Sequence, residues 1–235
     1  MVLFDRELEE FLKLLAALNC SSLPIVSDLR KDLGKNNMVF SDEAAYELGG
    51  GTCRSLSFEL PTSDSWLIDH DAILLAGNDL GEIRTDTDFA RITVLKIQDE
   101  DIKGEELYDR LEKIKFTKYR VSPEGYMLRT AVGNKEKVRV SKDAAAHAGF
   151  SQIGSAYIKA YKQLPYVEYA MIVFITGACA FHDQLKEIGM RKTRITEAVD
   201  HILKGMVLND CNSCSVKELC DQVEGMRAIH KGLPQ

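Results

Sequence analysis

Apolar positions at helical spacing open the chain. Leu3, Phe4, Leu8, Phe11, Leu12, Leu15 and Leu18 predict an amphipathic helix with one apolar face. A polar, irregular stretch follows to about residue 40. The segment YELGGGTCRSLSFELP then places Gly49, Gly50 and Gly51 in a turn ahead of a short strand. The apolar runs AILLAGND and ARITVLKI predict buried strands, and EELYDRLEKI, between Lys103 and Lys115, returns to helical period. KYRVS, GYMLRTAV and KVRVS alternate apolar and polar side chains. With turns at Pro123-Glu124-Gly125 and Gly133-Asn134 they predict a meander or hairpin pair with one solvated face. SKDAAAHAG predicts a helix capped by Ser141, and a second helix covers roughly 151–162. VEYAMIVFITG is the best candidate for a central strand. The stripe Leu185, Ile188, Ile195, Val199, Ile202, Leu203 and Met206 predicts one long or broken helix. Val216, Leu219, Val223, Met226 and Ile229 predict a last one.

This order predicts an α+β fold: a mixed sheet with a helical N-terminal arm and a helical C-terminal end carrying a cysteine loop. The expected segments are an arm over 1–40, an α+β body over 41–208, and the cysteine motif with its helix over 209–235. The 235 residues, 45% hydrophobic and 28% charged, suit a globular protein able to bury a core. A net charge of -6 argues against a general nucleic-acid or anionic-membrane binder, both of which need a basic face. No run approaches the roughly 20 apolar residues of a membrane span. Acidic residues inside MVLFDRELEEFLKLLAAL argue against a signal peptide, so the expected compartment is the cytoplasm. There, the six cysteines read as metal ligands or free thiols sooner than as disulfides.

Three of those cysteines fall within ten residues, in DCNSCSVKELCDQVEG. Cys211, Cys214 and Cys220 have the spacing Cys-x2-Cys-x5-Cys. A Cys-x2-Cys loop turns two thiolates toward one centre, and the first turn of the following helix brings a third, where the helix dipole favours anionic sulfur. Three such thiolates and one from elsewhere suit a [4Fe–4S] cubane. Structural zinc is the rival reading, and Cys179 and His182 in CAFH have knuckle-like spacing. Cys179 follows the expected central strand, where sites often form in α/β sheets, and ranks first as the fourth ligand. Cys20 and Cys53 rank below it.

Other groups read more plainly. GGGT lacks the spacing and lysine of a phosphate loop, and GNDLG is no dinucleotide fingerprint. IDHD, at Ile68 to Asp71, reads as a solvated turn. Lys186, Arg191, Lys192 and Arg194 read as a solvated helix face. Arg120, Arg129 and Arg139 fall on neighbouring expected strands and would bind phosphate groups if those strands bring them to one face. No nucleophile elbow or triad signature assigns a catalytic residue.

Several segments together resemble one family. YELGGG with SFEL, AILLAGNDLGEI, and VRVSKDAAAHAGFSQIGSAYIKAYKQLPYVEYAMIVFIT are similar, in order, to the middle domain of the β subunit of CO dehydrogenase/acetyl-CoA synthase. The resemblance spans roughly Ala45 to Cys220. It implies a mixed α+β domain followed by a Cys-x2-Cys pair that begins a cubane, and Cys211 and Cys214 stand at that place. Cys220 follows sooner than in the synthases, and the Cys-Gly-Cys tripeptide that holds the distal nickel is absent from the sequence. The resemblance therefore implies an accessory, electron-transfer or docking protein of anaerobic one-carbon or CO metabolism, with synthase-type or redox partners, and not a complete acetyl-CoA synthase. The family's arginine-rich region near its coenzyme A site has Arg120, Arg129 and Arg139 as its candidate echo, without residue-by-residue correspondence. Two further readings stay open: an enzyme whose open cluster iron binds a small ligand or CoA thioester, and a zinc-stapled interaction module.

Overall fold

A computed structural model describes residues 3–27, 42–98, 107–147 and 149–203. The chain runs through α1 (Asp5–Ala17), β1 (Ser21–Leu23), β2 (Ala45–Leu48), β3 (Ser55–Thr62), β4 (Ala72–Ala76) and β5 (Phe89–Ile97). It continues through α2 (Leu107–Thr117), β6 (Tyr126–Val132), β7 (Lys135–Ser141), α3 (Lys142–His147), α4 (Phe150–Tyr161), β8 (Val167–Thr176) and α5 (His182–Leu203). The fold is α+β with a mixed sheet, as the sequence pattern predicts.

The apolar run of β8 sits at the centre of a five-stranded sheet ordered β1-β4-β8-β5-β3. β8 is parallel to β4 and antiparallel to β5, β5 is parallel to β3, and β1 pairs antiparallel on the far edge. Because strand side chains alternate, β8 serves two cores. Ala170, Ile172 and Phe174 pack with α4 and a second, antiparallel sheet ordered β2-β7-β6. Val173 and Ile175 pack with α1 and α5. Both faces of the sheet are covered, which is why its strands read as near-continuous apolar runs.

The N-terminal helix belongs to this body. Leu3, Phe4, Leu8 and Phe11 are buried against β3, β5 and α5, each such side chain contributing roughly 1.5–3 kcal/mol. Arg191 of α5 ties the two helices by ion pairs to Glu7, at 3.3 Å, and Glu10.

Two parts of the pattern misled. KYRVS is not a strand: α2 ends at Thr117 and a 3-10 turn follows over Lys118–Arg120. Its alternation reflects Lys118 drawn inward to an ion pair with Glu59 at 3.7 Å and Val121 buried three residues on. The meander is completed instead by β2, which pairs along its whole length with β7. The three-residue β1 carries too little pattern to be read from sequence.

Glycine sets the approach of α5 to the sheet. A Cβ on Gly189 would lie 2.9 Å from the Phe58 ring of β3 and 3.3 Å from the Asn134 side chain at the β6–β7 turn. Gly189→Ala is expected to destabilise the protein by about 1–3 kcal/mol through overpacking, read as a shift in the urea midpoint at unchanged slope.

Candidate functional site

The alternation that buries both faces of the sheet also buries polar residues. Ser57 and Glu59 on β3 and Arg91 and Thr93 on β5 share the face turned toward α4 and the second sheet, register pairing Ser57 with Arg91 and Glu59 with Thr93. Glu136, from β7, meets them. The Arg91 guanidinium donates twice to Glu136, from Nε at 2.8 Å and from Nη2 at 2.6 Å, in the fork geometry of the strongest ion pairs. It also donates to Thr93 Oγ1 at 2.7 Å and Ser57 Oγ at 2.8 Å, and lies 3.3 Å from Glu59. The Tyr157 ring of α4 covers it, 4.5 Å from centroid to guanidinium carbon. Arg91 and Glu136 are fully buried.

The network opens outward at the β3 edge. Glu59 pairs with Lys118, and beside them lies a cavity of about 240 Å³ lined by Lys115, Lys192, Asn134, Thr193 and Thr196 among others. Its walls come from α2, the 3-10 turn, the β6–β7 turn and the C-terminal half of α5. Burial pushes the Glu59 carboxyl up, but Lys118, Arg91 and Lys192 outweigh it and hold the group below its ordinary range. Burial, with Lys115 and Lys118 adding, pushes the Lys192 ammonium below its ordinary value despite the pull of Glu59. The helix face that reads as solvated therefore holds a buried lysine at Lys192 and an interhelix ion pair at Arg191.

A second group lies at the C-terminal end of β8. Cys179 is buried there, and its carbonyl accepts from the His182 amide at 3.3 Å. Asp88 holds Arg54 through Nε at 2.7 Å, and its carbonyl receives the Gly177 amide at 3.0 Å. His182 is buried with no hydrogen bond at either ring nitrogen among the described residues, and Asp183 lies 3.9 Å from Nδ1. Burial, then the Arg54 charge, holds the imidazole below its ordinary value. Burial also pushes the Cys20 and Cys53 thiols up, assisted by Cys179 and by Asp88 and Asp86 respectively, so neither is an activated thiol.

Cys211, Cys214 and Cys220 lie outside the described residues, as does the last expected helix. Among the described residues no three His, Cys, Asp or Glu side chains converge so as to hold a metal ion, so the CAFH pair finds no third ligand there. The arginines do not form one group: Arg120 sits in the 3-10 turn, Arg129 is exposed on β6, and Arg139 is buried and paired with Glu47 at 2.6 Å. In the IDHD segment Asp69 and His70 are exposed and paired at 2.5 Å, while Ile68 is buried and Asp71 pairs with Lys162 at 2.7 Å and accepts from the Ala170 amide at 2.9 Å. Asp79 of GNDLG caps its own turn and the start of α4, accepting from the amides of Leu80 and Phe150 at 2.7 Å each. Sequence reasoning missed the cavity. Its only signal was an isolated Ser57, Glu59, Arg91 and Thr93 within otherwise apolar runs.

No protein-family model matches the chain, and no curated protein matches it closely enough to count as a relative. No described helix is long and apolar enough to cross a membrane.

Glu136→Gln keeps the shape of the buried pair and removes its charge. It is expected to cost about 3–5 kcal/mol in chemical denaturation, because Arg91 then stays buried without its main partner. Glu59 titrates lower in the folded chain than in the unfolded one. Its contribution is thus complete above the unfolded value and is lost as pH falls through the folded one. Unfolding free energy should decline on acidification below about pH 4.5, and Glu59→Gln should flatten that part of the profile.

Proposed function

We propose that this chain is an iron–sulfur protein related to the middle domain of acetyl-CoA synthase, serving as an accessory, electron-transfer or docking component in anaerobic one-carbon or CO metabolism. The observation that carries the reading is the motif Cys211-x2-Cys214-x5-Cys220 in a chain that has no Cys-Gly-Cys nickel site. The order of the resembling segments supports it: they cover β2 to β3, β4 with its following turn, and the continuous run from β7 through β8. A [4Fe–4S] cluster would supply one-electron transfer. In this reading the three loop cysteines supply most of the ligands, and one partner comes from elsewhere in the chain.

Cys179 is the proposed fourth ligand, under a tight geometric condition. It lies beside the N-terminus of α5, a helix of 22 residues, about 33 Å long at about 1.5 Å per residue. The eight steps from Leu203 to Cys211 span at most about 28 Å fully extended. Ligation by Cys179 thus requires the chain to return along nearly the whole helix. The enzyme reading, an open iron that binds a small ligand or CoA thioester, is favoured by the cavity, which lies on the half of α5 from which the chain leaves toward the loop.

The intact chain purified without oxygen should carry about four iron and four sulfide. Cys211→Ser, Cys214→Ser and Cys220→Ser should each abolish that content. Stoichiometric zinc without sulfide would sink the proposal in favour of a zinc-stapled module. Iron loss in Cys179→Ser assigns the fourth ligand to Cys179. Full retention excludes Cys179 and leaves Cys20, Cys53 or an open iron, the last seen as an electron paramagnetic resonance shift when exogenous ligands are added.

A further inference from the structure

One buried polar side chain of the cavity lining is left without a partner. Glu59 is held by Arg91 and Lys118, Glu112 by Lys115 at 3.1 Å, and the Asn134 oxygen by Thr193 at 3.2 Å. The Thr196 hydroxyl donates to the Lys192 carbonyl at 3.0 Å. Lys192 itself is 7% exposed, and its amine makes no hydrogen bond or ion pair among the described residues. The lining carries the carboxylates of Glu59, Glu112, Glu197 and Asp200 against Lys115, Lys118 and Lys192. Its balance is negative, so it offers nothing to an anion. Yet none of those carboxylates pairs with Lys192. Glu59 and Glu112 are taken by other cations, and Glu197 and Asp200 stand further along α5, about 7.5 and 12 Å away at about 1.5 Å per residue. Burial holds the Lys192 ammonium below its ordinary value, and Lys115 and Lys118 add to that against the pull of Glu59 and Glu112. A desolvated amine beside other cations is the setting that turns lysine into a nucleophile.

We propose that Lys192 is the nucleophile of a site that captures a small neutral aldehyde as a reversible imine. The free amine adds its lone pair to the carbonyl carbon, and a C–N bond forms as the C=O π pair moves onto oxygen. Both amine protons then leave with that oxygen as water, and a C=N bond remains. No electrons are gained or lost overall, so the step needs neither oxidant nor reductant. The lining sets the substrate class. Its carboxylates repel an aldehyde that carries a carboxylate or phosphate of its own. The same carboxylates favour the imine once it takes up a proton, because its positive charge then stands where the ammonium stood. A volume of about 240 Å³ is smaller than the roughly 300–1,000 Å³ of sites for drug-sized ligands, which limits the aldehyde to a short chain. Tyr108 lines the same space and gives that chain an aromatic neighbour. The inference goes beyond the iron–sulfur reading and depends on none of the cysteines.

The test is reductive trapping of the intact chain with propanal and cyanoborohydride at about pH 7, the propylated lysines being mapped by mass spectrometry. Exposed lysines are almost wholly protonated there, and each unit by which an ammonium titrates lower yields about tenfold more free amine. Propylation at Lys192 is expected to exceed that at any other lysine about tenfold. Glyoxylate, a small aldehyde that carries a carboxylate, should show no such preference. Lys192→Met should lose the dominant adduct and leave trapping at the remaining lysines unchanged. Propylation spread evenly over the lysines, or concentrated at one other than Lys192, would overturn the proposal. Glyoxylate trapped at Lys192 as readily as propanal would overturn the neutral substrate class. The map of the unsubstituted chain decides the first point without the variant, so the outcome does not depend on the variant folding. Iron and sulfide content, measured on the same sample, reports on the cluster separately.

Discussion

A guanidinium at the centre of a sheet has to be satisfied from several directions, and the pieces that satisfy Arg91 come from separate parts of the chain. Glu136 arrives from the second sheet, Ser57 and Glu59 from the neighbouring strand, Thr93 from its own strand, and the Tyr157 ring from α4. Removing Glu136 leaves charge in a low-dielectric interior, where the penalty for an unmatched ion exceeds what a good pair gains, and removing a hydroxyl partner leaves a guanidinium N–H unsatisfied. The network therefore fixes how the β2-β7-β6 sheet sits on the central one. It also sets the position of the β6–β7 turn, whose Asn134 carbonyl receives the Ser57 amide at 2.7 Å. The cavity is a consequence of that placement: the turn, α5 and the 3-10 turn meet around the one carboxylate of the network, Glu59, that reaches the sheet edge.

What was legible in the sequence followed from how each residue meets its neighbours. β4, β5 and β8 are covered on both faces, so their apolar runs announce them, and β8 announces itself as central by its length. α1 shows its single apolar stripe because one side of it remains in water. β1 and β2 are short and draw their stability from pairing with strands remote in sequence, which leaves no local trace. The Lys118 region alternates like a strand for a different reason, since a buried charge and a buried valine bracket a tight turn.

The buried polar group was hidden by the same rule that revealed the strands. Ser57 and Glu59 alternate with Leu56, Phe58 and Leu60, and alternation says only that two faces differ, not that one is wet. Lys192 was concealed in the same way among exposed basic neighbours. The cysteine motif is the reverse case: plain in sequence, where spacing alone carries the chemistry, and dependent for its fourth ligand on how far a short stretch of chain can travel along α5.

Arg129, read at first as a partner for phosphate, sits where the β6–β7 register slips. Leu128 pairs with Val138 and Thr130 with Lys137, so Arg129 is the extra residue of a bulge. β6 is the outer strand of its sheet, and its exposed backbone would otherwise offer a template for a strand from another molecule. An inserted residue breaks the regular spacing of free amides and carbonyls there, and a cation at that point makes docking of a second β6 repulsive. With a three-residue strand on one border of the larger sheet and the β6–β7 turn bonded to the other, the described residues present little straight edge along which copies of the chain could polymerise.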